Sequence, residues 1–146
     1  MPDIDHRFMR PPFLRAMHVC ELDVGSVSVW DFRVSQPNVS YMSSSAIHSL
    51  EHFLSSGLRS HTDCVLLVAP MGCGTGFYVV TYGSCDIGQV AELLANELQL
   101  LIHAEEVPLS NIIDCGCAFN HSLNEAKSIA SWLLKERDSW FEATDG

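Results

Sequence analysis

The stretch His48-Ser49-Leu50-Glu51-His52 lies in the middle of an apolar segment and decides how the rest of the chain is interpreted. Serines at positions 43–45 offer N-caps for a helix that runs to about residue 60. On such a helix, residues i and i+4 lie one above the other, so the two imidazoles can bind one cation. Glu51 lies on the same side, where a carboxylate can move protons beside a metal.

Apolar residues cover more than one face of this predicted helix, which should therefore be substantially buried. They are Ile47, Leu50, Phe53, Leu54 and Leu58. Buried polar groups need partners, so His48, Glu51 and His52 form either a satisfied core network or a metal site. Two imidazoles together with a carboxylate favour the metal.

Length and composition predict a single domain over residues 1–146. Hydrophobic residues make up 47% of the chain, which argues against disorder. No apolar run reaches the roughly 20 residues that span a bilayer. The first residues lack the basic and apolar blocks of a signal peptide, so we expect a cytoplasmic protein without a membrane partner.

The net charge is −10, from 8 basic and 18 acidic residues. Nucleic acid is therefore excluded as a partner, because the chain has too few cations to neutralise phosphates. In so acidic a protein, Arg33 and Arg59 stand out as candidates for holding an anionic or hydroxyl-rich small-molecule substrate. The alternative is that both arginines are solvated surface residues.

The six cysteines are expected to be reduced, since no secretory leader accompanies them. Cys64 and Cys85 lie in apolar or turn contexts and are interpreted as packing residues. Cys73 lies among three glycines at residues 72–76, where the backbone can hold a thiol exposed for chemistry. A tight hairpin with an incidental thiol is the alternative.

The order of elements predicts an α+β fold, with a mostly antiparallel sheet packed against helices. We expect strands at 13–20, 26–34, 64–69, 77–82 and 112–117, and helices at 43–60, 86–104 and 122–140. A capping box of Ser122 and Glu125 opens the last helix. Its inward-facing residues are predicted to be Ile129, Trp132, Leu133 and Trp140.

Two histidines need at least one further protein ligand. The candidates are Cys115 or Cys117, His121, or a distant glutamate. A set of two histidines and one cysteine leaves a fourth position open, which is typical of a catalytic site, and its thiolate suits Fe²⁺, Co²⁺ or Zn²⁺. The His-x-x-Glu-His order also occurs in inverzincin peptidases, but this chain is too small for a peptide cleft and a lid.

Five collinear motifs, over about residues 4 to 140, resemble those of the S-ribosylhomocysteine lyase family, known as LuxS. The family carries Val-Asp-His, Phe-Asp-Leu-Arg, His-Thr-Leu-Glu-His, Pro-Met-Gly-Cys-Arg-Thr-Gly-Phe-Tyr, and Cys-Gly followed by His-Ser-Leu. The chain carries Ile4-Asp5-His6, Trp30-Asp31-Phe32-Arg33, the 48–52 stretch, Pro70-Met71-Gly72-Cys73-Gly74-Thr75-Gly76-Phe77-Tyr78, and Cys115-Gly116 with His121-Ser122-Leu123.

The resemblance implies a role for each matching residue. It implies that His48, His52 and Cys115 bind one divalent metal, Fe²⁺ in the family's native form. Cys73 and Glu51 would be the acid/base pair. His6 and Arg33 would help to hold the sugar, and Arg59 the amino-acid end of the substrate. It also implies a homodimer with its sites at the subunit interface and the N-terminal segment reaching across.

The implied reaction is carbon–sulfur cleavage of S-ribosylhomocysteine to homocysteine and dihydroxypentanedione, the precursor of a quorum-sensing autoinducer. The carbonyl would move along the sugar by proton transfers, after which the thioether leaves by β-elimination. A Lewis-acidic metal, a thiolate and a carboxylate suit that chemistry.

Several positions depart from the family's pattern. Gly74 replaces an arginine, Leu67 replaces an aspartate, Arg7 replaces a threonine, and the short N-terminus omits a serine. Loss of a polar partner changes what a pocket prefers by a few kcal/mol. The alternatives to the lyase are thus a LuxS-like isomerase or lyase for a related sugar or thioether, and a non-catalytic metal-binding protein. Retention of Cys73 and Glu51 argues against the last.

Overall fold

A computed structural model describes residues 3–144; residues 1–2 and 145–146 of the predicted 1–146 domain lie outside the described residues. Its four strands are β1 (Phe13–Leu22), β2 (Gly25–Arg33), β3 (Val65–Pro70) and β4 (Gly76–Tyr82). They form one antiparallel sheet in the order β1-β2-β4-β3. Helices pack against this sheet, which confirms the α+β prediction.

Three helices complete the fold: α1 (Ser44–His61), α2 (Ile87–Ile102) and α3 (Leu123–Lys135). Ser43 caps α1 by accepting the N–H of Ala46, and Asp86 forms a capping box with Gln89 at the start of α2. Helix α1 packs on β3 and α2, and α3 packs on α2. Within residues 3–144, none of the helices is long and apolar enough to cross a membrane.

The core lies between the helices and the sheet. Among its fully buried side chains are Phe32, Leu50, Phe77, Leu94 and Trp140. Burying one such side chain stabilises the fold by about 1.5–3 kcal/mol. This packing fixes α1 against the sheet, so the polar residues of α1 are held on a rigid element.

The strand predicted at residues 112–117 is wrong. The segment consists of turns, because the Asn111 side chain accepts the backbone N–H groups of Ile113 and Asp114. The N–H of Cys115 bonds to the carbonyl of Asn111. Ile112 and Ile113 are 90% and 89% exposed, so their apolar character does not mark a face packed on the core.

The last helix is shorter than predicted, since α3 ends at Lys135 and a 3₁₀ turn follows at Arg137–Ser139. Trp132 was expected inside and is 40% exposed, because the buried stripe runs through Ala126, Ala130 and Leu133. Leu133 and Trp140 are buried as predicted.

Only half of the predicted capping box forms at the start of α3. Ser122 accepts the N–H of Glu125. The Glu125 carboxylate instead accepts hydrogen bonds from Ser43 and Ser45, which ties α3 to the start of α1.

Candidate active site

Helix α1 presents His48 and His52 one turn apart, both half-buried, with ring centroids separated by 4.7 Å. Each Nδ1 lies against a backbone carbonyl, at 2.8 Å from Asn120 and 2.7 Å from Pro108 respectively. A carbonyl can only accept, so each Nδ1 carries a proton, and in the neutral ring the lone pair is therefore on Nε2. This arrangement is typical of histidines that bind a metal through Nε2.

Segment 103–122, which joins α2 to α3, brings two more donors to these rings. The Sγ of Cys115 lies 3.4 Å from Nε2 of His48 and 3.5 Å from Nε2 of His121. We define the metal cluster as His48, His52, Cys115 and His121, whose donor atoms all lie within 4.8 Å of one another. Nitrogen and sulfur ligands of tetrahedral zinc lie about 3.5 Å apart, given bonds of about 2.0–2.1 and 2.3 Å. The donor set therefore fits a divalent cation.

His121 differs from the other two histidines in the group that its Nδ1 contacts, which is a side-chain hydroxyl and not a backbone carbonyl. Its Nδ1 lies 3.0 Å from the Ser49 hydroxyl, which also accepts the N–H of Ser122 at 2.9 Å. A hydroxyl can donate or accept, so this contact does not fix the tautomer. Burial, followed by the charges of His48 and His52, lowers the pKa of His121, which keeps its ring neutral.

The other candidates for a third ligand fall outside the metal cluster. Cys117 contributes its backbone N–H to the Cys115 sulfur at 3.4 Å, and its own thiol is not among the cluster's donors.

Glu51 lies at the edge of the metal cluster. Its Oε2 is 3.8 Å from Nε2 of His52, and its side chain is 28% exposed. The carboxylate therefore lies beside His52 and is partly open to solvent.

Cys73 lies on the tight turn between β3 and β4, where it is exposed. The turn closes through the N–H of Gly74 and the carbonyl of Met71, and Gly74 has a φ of +74° that favours glycine. Gly76 is required for another reason: a Cβ there would lie 2.5 Å from the carbonyl oxygen of Phe32 on β2. Both glycines thus serve to hold the thiol at the surface.

Buried polar groups beneath the turn act on this thiol. Thr75 Oγ1 lies 2.9 Å from the Cys73 sulfur. The same oxygen accepts a hydrogen bond from Nη1 of Arg33 at 2.9 Å. Because arginine has no acceptor, the threonine hydrogen is left to donate to the sulfur. Burial alone would raise the pKa of Cys73, but the hydrogen bonds of Thr75 and the charge of Arg33 together lower it. The thiolate is therefore favoured.

Arg33 is only 4% exposed, and its other two donors bind Asp31 at 3.0 and 2.9 Å. Asp31 is fully buried, with Nε of Arg15 3.5 Å away. The sequence placed Arg33 against substrate, whereas its donors in this structure face Asp31 and Thr75. Sequence reasoning missed Thr75 and Asp31; for Asp31, the i,i+2 spacing from Arg33 on one strand face was the available signal.

His6 and Cys73 share one groove of about 410 Å³, together with Thr75 and the loop at residues 37–41. Arg59 lies elsewhere, seven residues and therefore about 10 Å along α1 from His52. Its Nε donates to the carbonyl of Ser55 at 3.0 Å, and the residue is exposed. The structure thus brings His6 to the thiol and leaves Arg59 outside both the groove and the metal cluster.

A sequence model of the family described as S-ribosylhomocysteinase (LuxS) matches residues 2–144. The chain belongs to the S-ribosylhomocysteinase (LuxS) family. An S-ribosylhomocysteine lyase of Macrococcus caseolyticus is 40% identical over 139 residues, covering 94% of this chain and 86% of the relative. One from Oceanobacillus iheyensis is 39% identical over 141 residues, covering 96% and 92%. One from Listeria monocytogenes is 38% identical over 142 residues, covering 94% and 90%.

In this LuxS chain, the groove at Cys73 and the metal cluster share no lining residue within residues 3–144. The segment that supplies Cys115 and His121 also carries Ile112, Ile113 and Phe119, which are 90%, 89% and 91% exposed.

Proposed function

We propose that this chain is an S-ribosylhomocysteine lyase, which cleaves its substrate to homocysteine and dihydroxypentanedione. The observation that carries the proposal is the convergence of two helical imidazoles and the distant Cys115 sulfur, with Glu51 beside them. We infer the substrate from the relatives described above, which are named S-ribosylhomocysteine lyases. The second product is the precursor of a quorum-sensing autoinducer.

We propose that His48, His52 and Cys115 hold the cation, with His121 as a neighbour whose Nε2 lies 3.5 Å from the sulfur. The support is that only the first two rings have a tautomer fixed by a backbone carbonyl. Fe²⁺ is expected from the family resemblance, and the same donors accept Zn²⁺ or Co²⁺. When bound, such a cation polarises a carbonyl oxygen as a Lewis acid and leaves a position open for substrate.

Cys73 and Glu51 are proposed to move the protons. Shifting a carbonyl along the sugar removes a proton from the carbon beside it and returns one to the former carbonyl carbon. The lowered pKa of Cys73 supplies a thiolate that accepts such a proton. Glu51, at the edge of the metal cluster, exchanges protons from the other side.

The same groups suit the elimination. Once the carbonyl is at the third carbon, a base removes the proton from the fourth carbon, and the bond from the fifth carbon to sulfur breaks. The electron pair leaves with sulfur as the homocysteine thiolate, which a conjugate acid then protonates. No oxidant or reductant is consumed.

The active site is proposed to form between two copies of the chain, with Cys73 and His6 of one protomer facing the metal cluster of its partner. Two observations support this: the groove and the metal cluster are lined by separate residues, and the apolar surface of residues 112–119 is exposed. We expect a sedimenting mass of about twice the 16.2 kDa of one chain.

One position favours a second candidate, a LuxS-type lyase for a related thioether. Leu67 stands on β3, half exposed, where the family resemblance expects an aspartate for the substrate's amino group. Leucine cannot bind an ammonium group, so a substrate that lacks the amino group would bind comparatively better.

The test is thiol release from S-ribosylhomocysteine by protein purified without oxygen and loaded with Fe²⁺. We expect rapid release, and release near the uncatalysed rate from metal-free protein, Cys73→Ala and Glu51→Gln. Cys20→Ala is the matched control, since Cys20 is exposed on β1, and it should keep full activity. Release only from the analogue without the amino group would establish the second candidate, and release from neither would refute both.

We expect the enzyme to work in the cytoplasm. Support comes from its six free cysteines, two of which the mechanism needs as thiolates. A reducing compartment keeps such thiols available.

A further inference from the structure

Two thiols that take no part in the proposed reaction touch each other. Cys64 comes just before β3, and Cys85 lies between β4 and α2; their Sγ atoms are 2.9 Å apart. We propose that Cys64 and Cys85 are a redox-sensitive pair that closes to form an intrachain disulfide. The pair would link the two ends of the β3–β4 hairpin, which carries Cys73 at its turn.

The backbone holds both cysteines in place, so their approach does not depend on a mobile loop. The N–H of Cys64 bonds to the Thr62 hydroxyl, and its carbonyl accepts the N–H of Tyr82 at 2.8 Å. On the other side, Cys85 precedes Asp86, which the capping box with Gln89 fixes at the start of α2. A disulfide has an S–S bond of about 2.05 Å, so the two sulfurs have to approach each other by about 0.9 Å.

The pair is also more shielded than Cys20 and Cys73. Both side chains are half-buried and pack against the hydrophobic core, whereas Cys20 and Cys73 are exposed. A small oxidant that reacts with one thiol of the pair thus leaves the second thiol as its nearest nucleophile.

The chemistry balances with a low-molecular-weight disulfide as the oxidant. Burial, together with the hydrogen bond and charge of Cys64, raises the pKa of Cys85 to about 12. Cys85 therefore keeps its proton, and Cys64 gives up its own proton and attacks the oxidant, which releases one small thiol and leaves a mixed disulfide on Cys64. Cys85 then loses its proton and attacks the Cys64 sulfur, which releases the second small thiol.

The bond would close the segment from Cys64 to Cys85 into a covalent loop. A loop of this size limits the freedom of the unfolded chain, so the oxidised protein should be more stable than the reduced protein. We expect the midpoint of thermal unfolding to rise by about 5–10 °C.

The experiment treats the metal-loaded protein with oxidised glutathione, blocks the remaining thiols, and digests it with chymotrypsin without reductant. Cleavage after Phe77, Tyr78 and Tyr82 separates Cys85 from the peptide that carries both Cys64 and Cys73. Fragmentation of the linked peptide in the mass spectrometer, with the unlinked cysteine marked by the blocking reagent, then shows which of these two thiols is joined to Cys85. Cys85→Ser should abolish both the linked peptide and the thermal shift. Cys20→Ser, which removes an exposed thiol, should retain both.

A linked 64–85 peptide with the thermal shift would support the proposal. Glutathione retained on Cys64 or Cys85 without a linked peptide would overturn it, as would thiols at both positions after Cys73 has reacted. Because Cys85→Ser could lower stability by itself, each thermal shift is measured against the same variant kept in reductant. The readout is independent of lyase activity, so the proposal stands or fails separately from the proposed function.

Discussion

The metal cluster takes its first two donors from one rigid helix, whereas Cys73 depends on a turn whose support lies beneath it. His48 and His52 are placed by helical geometry alone, and each ring is oriented by one backbone carbonyl. Cys73 is instead tuned through Thr75 by the buried ion pair of Arg33 and Asp31. The spacing of residues along one helix therefore positions the two histidines, whereas a chain of polar contacts between strands supports the Cys73 thiol.

This difference has a consequence for mutations. Loss of one of the three proposed ligands is expected to remove the cation and with it the chemistry that we propose the cation supports. Loss of a contact beneath Cys73 leaves the thiol in place and changes only the fraction that is ionised at a given pH. The two regions should therefore respond differently to substitution.

The largest effect is expected for His48→Ala. Two of the three proposed ligands remain, which is too few for tight binding. Metal content, measured by mass spectrometry after desalting, should fall from about one ion per chain to near zero, and thiol release should fall about a thousandfold or more.

His61→Ala is the matched control, since His61 lies on the same helix α1, is exposed, and is not in the metal cluster. It should leave the metal content unchanged. Full metal content in His48→Ala would contradict the assignment of that residue as a ligand.

A smaller effect is expected for Thr75→Val. The pKa of Cys73 is lowered by hydrogen bonds of Thr75, so removal of the hydroxyl should raise it. The thiolate exists above that pKa, so less thiolate is present at neutral pH, and activity should fall about tenfold and recover as the pH rises. The rate of alkylation by iodoacetamide against pH measures the pKa directly.

Thr75→Ser keeps the hydroxyl and should keep the low pKa. Metal content should be unchanged in both variants, which separates this region from the metal cluster. An alkylation profile for Thr75→Val that matches the wild type would show that the hydroxyl does not control the thiol.

The sequence was sufficient where one strong periodic pattern determined the structure. The period of the apolar residues and the serine cap predicted α1, and with it the relation of His48 to His52. Ile112 and Ile113 misled the prediction because apolar residues in a short run resemble a strand, while here they are exposed on a turn built by Asn111.

The support of Cys73 was not predictable for a different reason. Asp31, Arg33 and Thr75 come together through the pairing of β2 with β4, which is a tertiary contact. No local sequence pattern relates Thr75 to Arg33, because the two residues are 42 positions apart in the chain. His121 appeared only as one of several alternatives, since its place near His48 depends on the path of segment 103–122.

The smallest effect is expected for Glu97→Gln, outside both regions. Glu97 is buried on α2, and one of its oxygens has no hydrogen-bond partner within the described residues. Burial raises its pKa, with His61 opposing. The folded state thus holds this proton more tightly than the unfolded state. The resulting stability is full below the unfolded pKa and is lost as pH rises through the folded pKa.

At neutral pH, Glu97→Gln should therefore raise the free energy of unfolding by about 1 kcal/mol and flatten its dependence on pH. Urea unfolding at several pH values measures both quantities. Activity per folded protein should not change. A lower stability at neutral pH would show that the carboxylate has a favourable partner when charged.

The most direct test of the account mixes two inactive variants, Cys73→Ala and His48→Ala, and isolates the heterodimer through different tags. If the site forms between copies, one of the two sites in this heterodimer keeps both its thiol and its metal ligands. We predict about half the wild-type rate of thiol release per dimer. A heterodimer of His48→Ala and His52→Ala, both altered in the metal cluster, should stay inactive. No activity from the first heterodimer would contradict the account, because thiol and metal cluster would then act within one chain.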